Sequence, residues 1–268
     1  LAAVAHRSQE NEMNAAWMAF FDSVLSITLI AAGIAGAHFN LIEPFMGFQL
    51  LALGFLLSIM GALLGLVAIF MTRKPELRAG RNRAVVGTTI CLLIAIPLIV
   101  TVLRGFKYPA INDITTDFDN PPEFVFAQKL QHEPNRDMKY DKAKYADKQQ
   151  AGYGPIGPIK ERLSPAAAFA RVTEVAQAVP AWKITYSDSA TNTIELVATS
   201  WLFHFHDDVV IQIRPAPDGA SLIEMRSKSR DGIGDFGVNA RRIRRFFDRV
   251  ALARNPGDQN PAAQEDLP

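Results

Sequence analysis

Apolar side chains fall in long, almost uncharged blocks up to about residue 103, and beyond Lys107 they are interspersed with Lys, Arg, Asp and Glu. Three blocks, 16–39, 45–71 and 84–103, each offer the roughly 20 mostly apolar residues that a helix needs to cross a hydrocarbon core about 30 Å thick. A helix meets that requirement because it satisfies every backbone N–H and C=O within its own segment. The pattern predicts a membrane part over 1–105 with three transmembrane helices.

The remainder divides by pattern. Residues 106–160 hold many prolines and charges without sustained periodicity and predict an extended, Pro-rich arm. Over 161–254 the pattern becomes regular. Ser164-Pro165 opens a helix with a capping hydroxyl and a proline at its first position, and Phe169, Val172, Ala176 and Val179 repeat on one side. Strands are expected at 182–187, 193–200, 208–214 and 221–227, separated by turn-rich segments such as 215–219. A last helix begins near Asn239, with Ile243, Phe246, Phe247 and Val250 as its apolar stripe and Arg241, Arg242, Arg244, Arg245 and Arg249 around the rest. Helix, four strands and helix predict an α+β domain whose helices cover one face of an antiparallel sheet, the other face being a ligand surface or simply wet. Residues 255–268 are polar and acidic and read as a flexible tail.

Charge orients the spans. The loop 72–83 carries Arg73, Lys74, Arg78, Arg81 and Arg83, and the positive-inside rule places it in the cytoplasm. The N-terminus is then cytoplasmic, and the third helix delivers the C-terminal domain to the opposite side, the periplasm of a bacterial inner membrane. Arg104 and Lys107 pull the other way but are sparser than the loop. A net charge of +1 gives no global reason to expect nucleic acid as a partner. The single Cys91 excludes an intrachain disulfide and a Cys-based zinc site. Leu1 in place of an initiator Met fits a missing or processed N-terminus.

Within the second span, Gly47, Gly54, Gly61 and Gly65 recur on roughly one face, and Gly61 to Gly65 is a GxxxG. Small residues admit another helix at close range, either a span of this chain or one from a partner subunit. In the arm, Gly152-Tyr153-Gly154-Pro155-Ile156-Gly157 matches GxGxxG formally. With no preceding strand, and with Pro155 and Pro158 at the expected helix start, it is not a dinucleotide site.

Three stretches are distinctive: Pro109 to Asp117 (PAINDITTD), Thr199 to Val210 (TSWLFHFHDDVV) and Arg226 to Ile243 (RSKSRDGIGDFGVNARRI). Together they resemble the bacterial and plastid family catalogued as domain of unknown function fourteen-ninety-nine, over roughly 108–250, with the spans outside its core signature. The resemblance implies a fold unit often secreted or membrane-tethered and no established reaction. The chain departs from the family pattern around 153–158 and at His204 and His206.

Two constellations carry candidate chemistry. His204 and His206 alternate toward one face of a strand, with Asp208 beside them, as a partial metal site. Arg226, Ser227, Ser229, Arg230, Asp235, Asn239 and Arg242 flank a glycine-rich corner. They form either an anion or partner pocket, built from guanidinium forks and a helix N-terminus that Asn239 caps, or an internal network that locks the strand-to-helix corner. No nucleophile with a general base stands out, and no cofactor is expected. The resulting expectation is a non-enzymatic accessory or structural subunit of a larger membrane complex, in contact with membrane lipids and other integral membrane subunits. An envelope lipid-binding module using the Arg-rich corner is the first alternative, and a metal-dependent hydrolase the second.

Overall fold

The computed structural model describes residues 2–73, 78–129 and 137–253. The centre of the basic loop, His132 and Pro134 of the arm, and the acidic tail lie outside the described residues. The chain divides into two compact units, Leu1–Gly105 with Trp201–His204, and Phe106–Ser200 with Phe205–Pro268.

The first unit contains α1 (Ala2–His38), α2 (Pro44–Met71) and α3 (Arg78–Gly105). Within them, Met13–His38, Pro44–Met71 and Gly80–Gly105 are long and apolar enough to cross a membrane. Their packing inverts that of a water-soluble bundle. The residues of α2 buried against its neighbours are Gly47, Gly54, Ser58, Gly61, Ala62, Gly65 and Ala68, whereas Leu53, Leu56, Leu63, Leu66, Val67 and Phe70 point outward. In hydrocarbon, apolar bulk gains nothing by turning inward, and close backbone approach decides which face is buried. A Cβ on Gly33 would stand 2.5 Å from the carbonyl oxygen of Gly47, and one on Gly47 would stand 2.6 Å from that of Gly33. Lower down, Gly61 meets Asp22 of α1 and Cys91 of α3, and Gly65 meets Thr88 of α3. The face formed by Gly47, Gly54, Gly61 and Gly65 is therefore filled by this chain's own α1 and α3, one of the two arrangements the small residues admit. Despite Pro97, α3 runs as one element.

The second unit holds β1 (Asp113–Thr115), α4 (Lys142–Tyr153), β2 (Ile159–Glu161), α5 (Pro165–Gln177), β3 (Trp182–Asp188), β4 (Thr193–Thr199), β5 (His206–Pro215), β6 (Ser221–Ser229) and α6 (Val238–Leu252). Its sheet is antiparallel in the order β1-β6-β5-β4-β3, with β2 also paired to β6. The expected four strands and two flanking helices are present, and β1 and β2 are additional. Ser164 caps α5, accepting from the Ala167 amide, with Pro165 at the first position. One face of the sheet, with Ile194, Leu196, Val209, Ile211, Ile223 and Met225, packs with Val172, Ala176, Ile243, Phe246 and Val250 of α5 and α6. Full burial of each such side chain contributes about 1.5–3 kcal/mol.

The arm is not a separate extended region. It supplies β1 and β2, which lie along one edge of β6, at Lys228 to Arg226 and at Ile223 to Ser221. It also supplies α4, capped by Asp141 accepting from Lys144 N. The second unit thus begins at Phe106 and takes in the arm together with the domain. The second face of the sheet is neither wet nor open, because Phe124, Ala127 and Met138 from the arm cluster with Val210 over it. Gly154, with φ +64°, closes α4, so the GxGxxG stretch is a helix end.

Candidate functional site

The residues of the glycine-rich corner come from β6 and the start of α6, and strand geometry determines how they are distributed. Successive side chains on a strand point to opposite faces. Arg226 and Lys228 therefore project to one side of the sheet and Ser227 and Ser229 to the other. The register confirms the division: Arg226 opposes Val210, Lys228 opposes Asp208, and Ser227 opposes Val209. The constellation is two networks on opposite faces of the sheet, not one pocket.

On the arm-covered face, Arg226 is 0% exposed. Its Nε donates to Asp113 Oδ1 at 2.9 Å and its Nη2 to Asp113 Oδ2 at 2.8 Å. Nη2 also donates to the Met138 carbonyl at 2.8 Å. The rings of Phe124 and Tyr140 lie 5.1 and 5.3 Å from the guanidinium carbon. Lys228 Nζ donates to the same Asp113 carboxylate at 2.9 Å. Arg230 forms a fork with Asp208, its Nη2 2.8 Å from Oδ1 and its Nε 3.1 Å from Oδ2. Glu195, also buried on this side, accepts from the amides of Val125, Phe126 and Ala127 and so fastens the arm to β4. A buried guanidinium paired bidentately, with its remaining donors on carbonyls, is well satisfied. Burial, then the negative charge of Asp113, raises the Tyr140 phenol above its ordinary value.

On the helix-covered face Asn239 is the hub. Ser227 Oγ donates to its Oδ1 at 2.6 Å, and its Nδ2 donates to Ser229 Oγ at 2.9 Å. Arg242 donates to Ser227 Oγ at 2.8 Å and also to Asn239 Oδ1 and Asp207. Asn239 does not cap α6. That role belongs to Asp235, which accepts from Gly237 N at 2.8 Å and Asn239 N at 2.7 Å, while Tyr153 donates its phenol to Oδ1 at 3.2 Å. A carboxylate over the first amides satisfies donors that the helix leaves open. Gly237, with φ +76°, makes the corner that brings Asp235 there. Burial nevertheless pushes the Asp235 carboxyl above the ordinary aspartate value, against the opposing hydrogen bonds.

The residues singled out in the sequence are joined in the structure by internal networks. Asp113, Asp207, Glu195, Tyr153 and Gln149 were missed. Asp113 stands inside the distinctive 109–117 stretch, yet its role depends on β1 pairing with β6. Gln149 of α4 is fully buried and bonds both polar groups of Thr115, accepting from its amide at 3.0 Å and donating to its carbonyl at 2.7 Å. It does for the outer edge of β1 what a neighbouring strand would do.

His204 lies in the β4–β5 turn with φ +58°, and His206 begins β5 with its Nδ1 3.1 Å from Thr199 Oγ1. Asp208 is held by Arg230. Among the described residues no group of three or more His, Cys, Asp or Glu is arranged to hold a metal ion.

No curated protein and no solved structure matches the chain. The profile of one family does, the one described as "Protein of unknown function (DUF1499)", over residues 113–250. The match runs from Asp113 at the start of β1 to Val250 in α6, so it spans both buried networks and the arm that covers the sheet. It takes in more than half of the 268 residues, and the chain belongs to the DUF1499 family.

Proposed function

We propose that this chain is a non-catalytic accessory or structural subunit of a larger membrane complex, anchored in a bacterial inner membrane with its α+β domain in the periplasm. The observation that carries the reading is the use made of the polar signature. Arg226, Ser227, Ser229, Arg230, Asp235, Asn239 and Arg242 bond to one another and to Asp113, Asp207 and Asp208, which ties the domain together at its centre. Such a domain suits recognition by its surface rather than turnover at its interior. Three crossings, being an odd number, put the N-terminus and the domain on opposite sides of the bilayer, and the basic loop favours the cytoplasm for the N-terminal side.

Extraction of the full chain from native membranes in mild detergent tests the assignment. Stoichiometric association with other integral membrane chains is expected, and migration as a lone monomer refutes it. A C-terminal alkaline phosphatase fusion tests the topology separately. Activity is expected, because that enzyme matures only after export.

A further inference from the structure

One face of α6 is not used by either network. Val238, Arg241, Arg245 and Arg249 follow at intervals of three or four residues and form a stripe along the helix. Beside the stripe, Val179 after α5 and Trp182 at the start of β3 complete an open groove of about 330 Å3, with Arg242 and Phe246 as its remaining lining. Its floor is aromatic, the rings of Trp182 and Phe246 lying 5.0 Å apart and tilted by 38°. Its rim is cationic, and no acidic side chain lines it.

The arginines differ in what they already hold. Arg242 is paired with Asp207. Arg241 donates to the Phe236 carbonyl at 3.0 Å and sits over the Tyr108 ring. Arg245 and Arg249 are exposed, and neither has an ion pair with any described residue, Asp248 of the same helix included. Like charges four residues apart on a helix repel, so an anion bridging Arg245 and Arg249 removes a cost as well as making bonds. At the N-terminal end of α6, next to Val238 and Arg241, the loop before it exposes Ile233 and Phe236, 83% and 55% accessible. That loop packs on Ala110, where a Cβ on Gly234 would stand 3.2 Å from the Ala110 Cα. Ala110 follows a few residues after the end of α3 at Gly105.

We propose that the groove binds the phosphate headgroup of an anionic membrane lipid. Arg245 and Arg249 donate to the phosphate oxygens, and Trp182 and Phe246 receive the adjoining glycerol and first acyl carbons. A guanidinium fork matches a phosphate diester, and an aromatic floor matches the apolar part of the same molecule. The site goes beyond the accessory role and does not depend on it.

The test uses the full chain in uncharged detergent, titrated calorimetrically with short-chain phosphatidylglycerol, phosphatidylcholine of the same chain length, and glycerol phosphate. Saturable binding of phosphatidylglycerol is expected, weakened about tenfold or more in the Arg245→Gln/Arg249→Gln double variant. Both side chains are exposed, and an unchanged melting temperature verifies that the variant folds. Phosphatidylcholine and glycerol phosphate are expected to bind much more weakly. No phosphatidylglycerol binding overturns the proposal. Undiminished binding in the double variant also overturns it and assigns the lipid to the spans or their basic loop. Phosphatidylcholine binding as tightly removes the role of charge, and glycerol phosphate binding as tightly makes the site one for a free phosphate ester.

Discussion

Asp113 and Arg226 meet through two parallel hydrogen bonds of 2.9 and 2.8 Å, and neither side chain reaches solvent. The pair joins β1, the first strand after the spans, to β6. Asp113→Ala leaves Arg226 and Lys228 without their carboxylate, and an orphaned buried charge costs about 3–5 kcal/mol. Combining it with Arg226→Met removes the stranded guanidinium, so the double variant is expected to unfold at higher denaturant than Asp113→Ala alone. Equal or lower stability of the double variant, measured on the full chain in detergent, would show that packing around Arg226, not its charge, sets the cost.

Tyr140 and Tyr153 provide a pH test on the alkaline side. Burial is the main cause in both, followed by the nearby carboxylate, Asp113 for Tyr140 and Asp235 for Tyr153, and both phenols are held above the ordinary value of 10.0. The folded protein keeps these protons after the unfolded chain has lost them. Stability therefore declines as pH rises above 10.0 toward the folded values and is unaffected well below. Tyrosinate absorbance of the folded protein near pH 10 is expected to be the same in wild type, Tyr140→Phe and Tyr153→Phe. A reduced amplitude in either variant would mean that its phenol titrates normally.

Gly33 and Gly47 allow α1 and α2 to approach backbone to backbone, and a methyl group on either meets the other's carbonyl oxygen. No side chain can rotate away to relieve that clash, so Gly47→Ala is expected to lower stability by about 1–3 kcal/mol, the usual range for overpacking. Leu63→Ala, on the outward face of the same helix, serves as the comparison and is expected to change little. Thermal melting in detergent distinguishes them, and similar melting temperatures would contradict the observed helix contact.

What could be read from the sequence follows from the range of the forces involved. The spans and β3 to β6 announce themselves in local patterns, because long apolar blocks and alternating side chains are properties of single segments. In contrast, β1 and β2 are three residues each and exist because β6 accepts them. Helix α4 buries Tyr145, Ala146, Gln149 and Tyr153, not an aliphatic stripe, so its period is faint amid prolines and glycines. The division of the corner residues between two faces of the sheet was not drawn from the pattern, although the residues themselves were legible as one distinctive stretch. Their partners Asp113 and Asp207 were not, because only strand register and the packing of α6 bring them close.

Gln149 supplies the sharpest test of the arm's attachment. Its amide accepts from Thr115 N and donates to Thr115 O in a fully buried position. Gln149→Glu retains the shape. When ionised, the new carboxylate still accepts from the amide, but it turns a second oxygen toward the Thr115 carbonyl and carries a buried charge. When protonated, it offers one O–H donor and one carbonyl acceptor and restores both bonds. Burial and the facing carbonyl both favour the protonated form, so the folded-state pKa of the introduced group lies above the ordinary glutamate value of about 4.3. Between those two values the unfolded chain has lost a proton that the folded one keeps, and stability falls as pH rises. The variant is therefore expected to melt close to the wild type near pH 4 and well below it near pH 7, whereas Gln149→Met, lacking both bonds, is destabilised at both pH values. A Gln149→Glu deficit that did not change with pH would refute the strand-like role of this side chain.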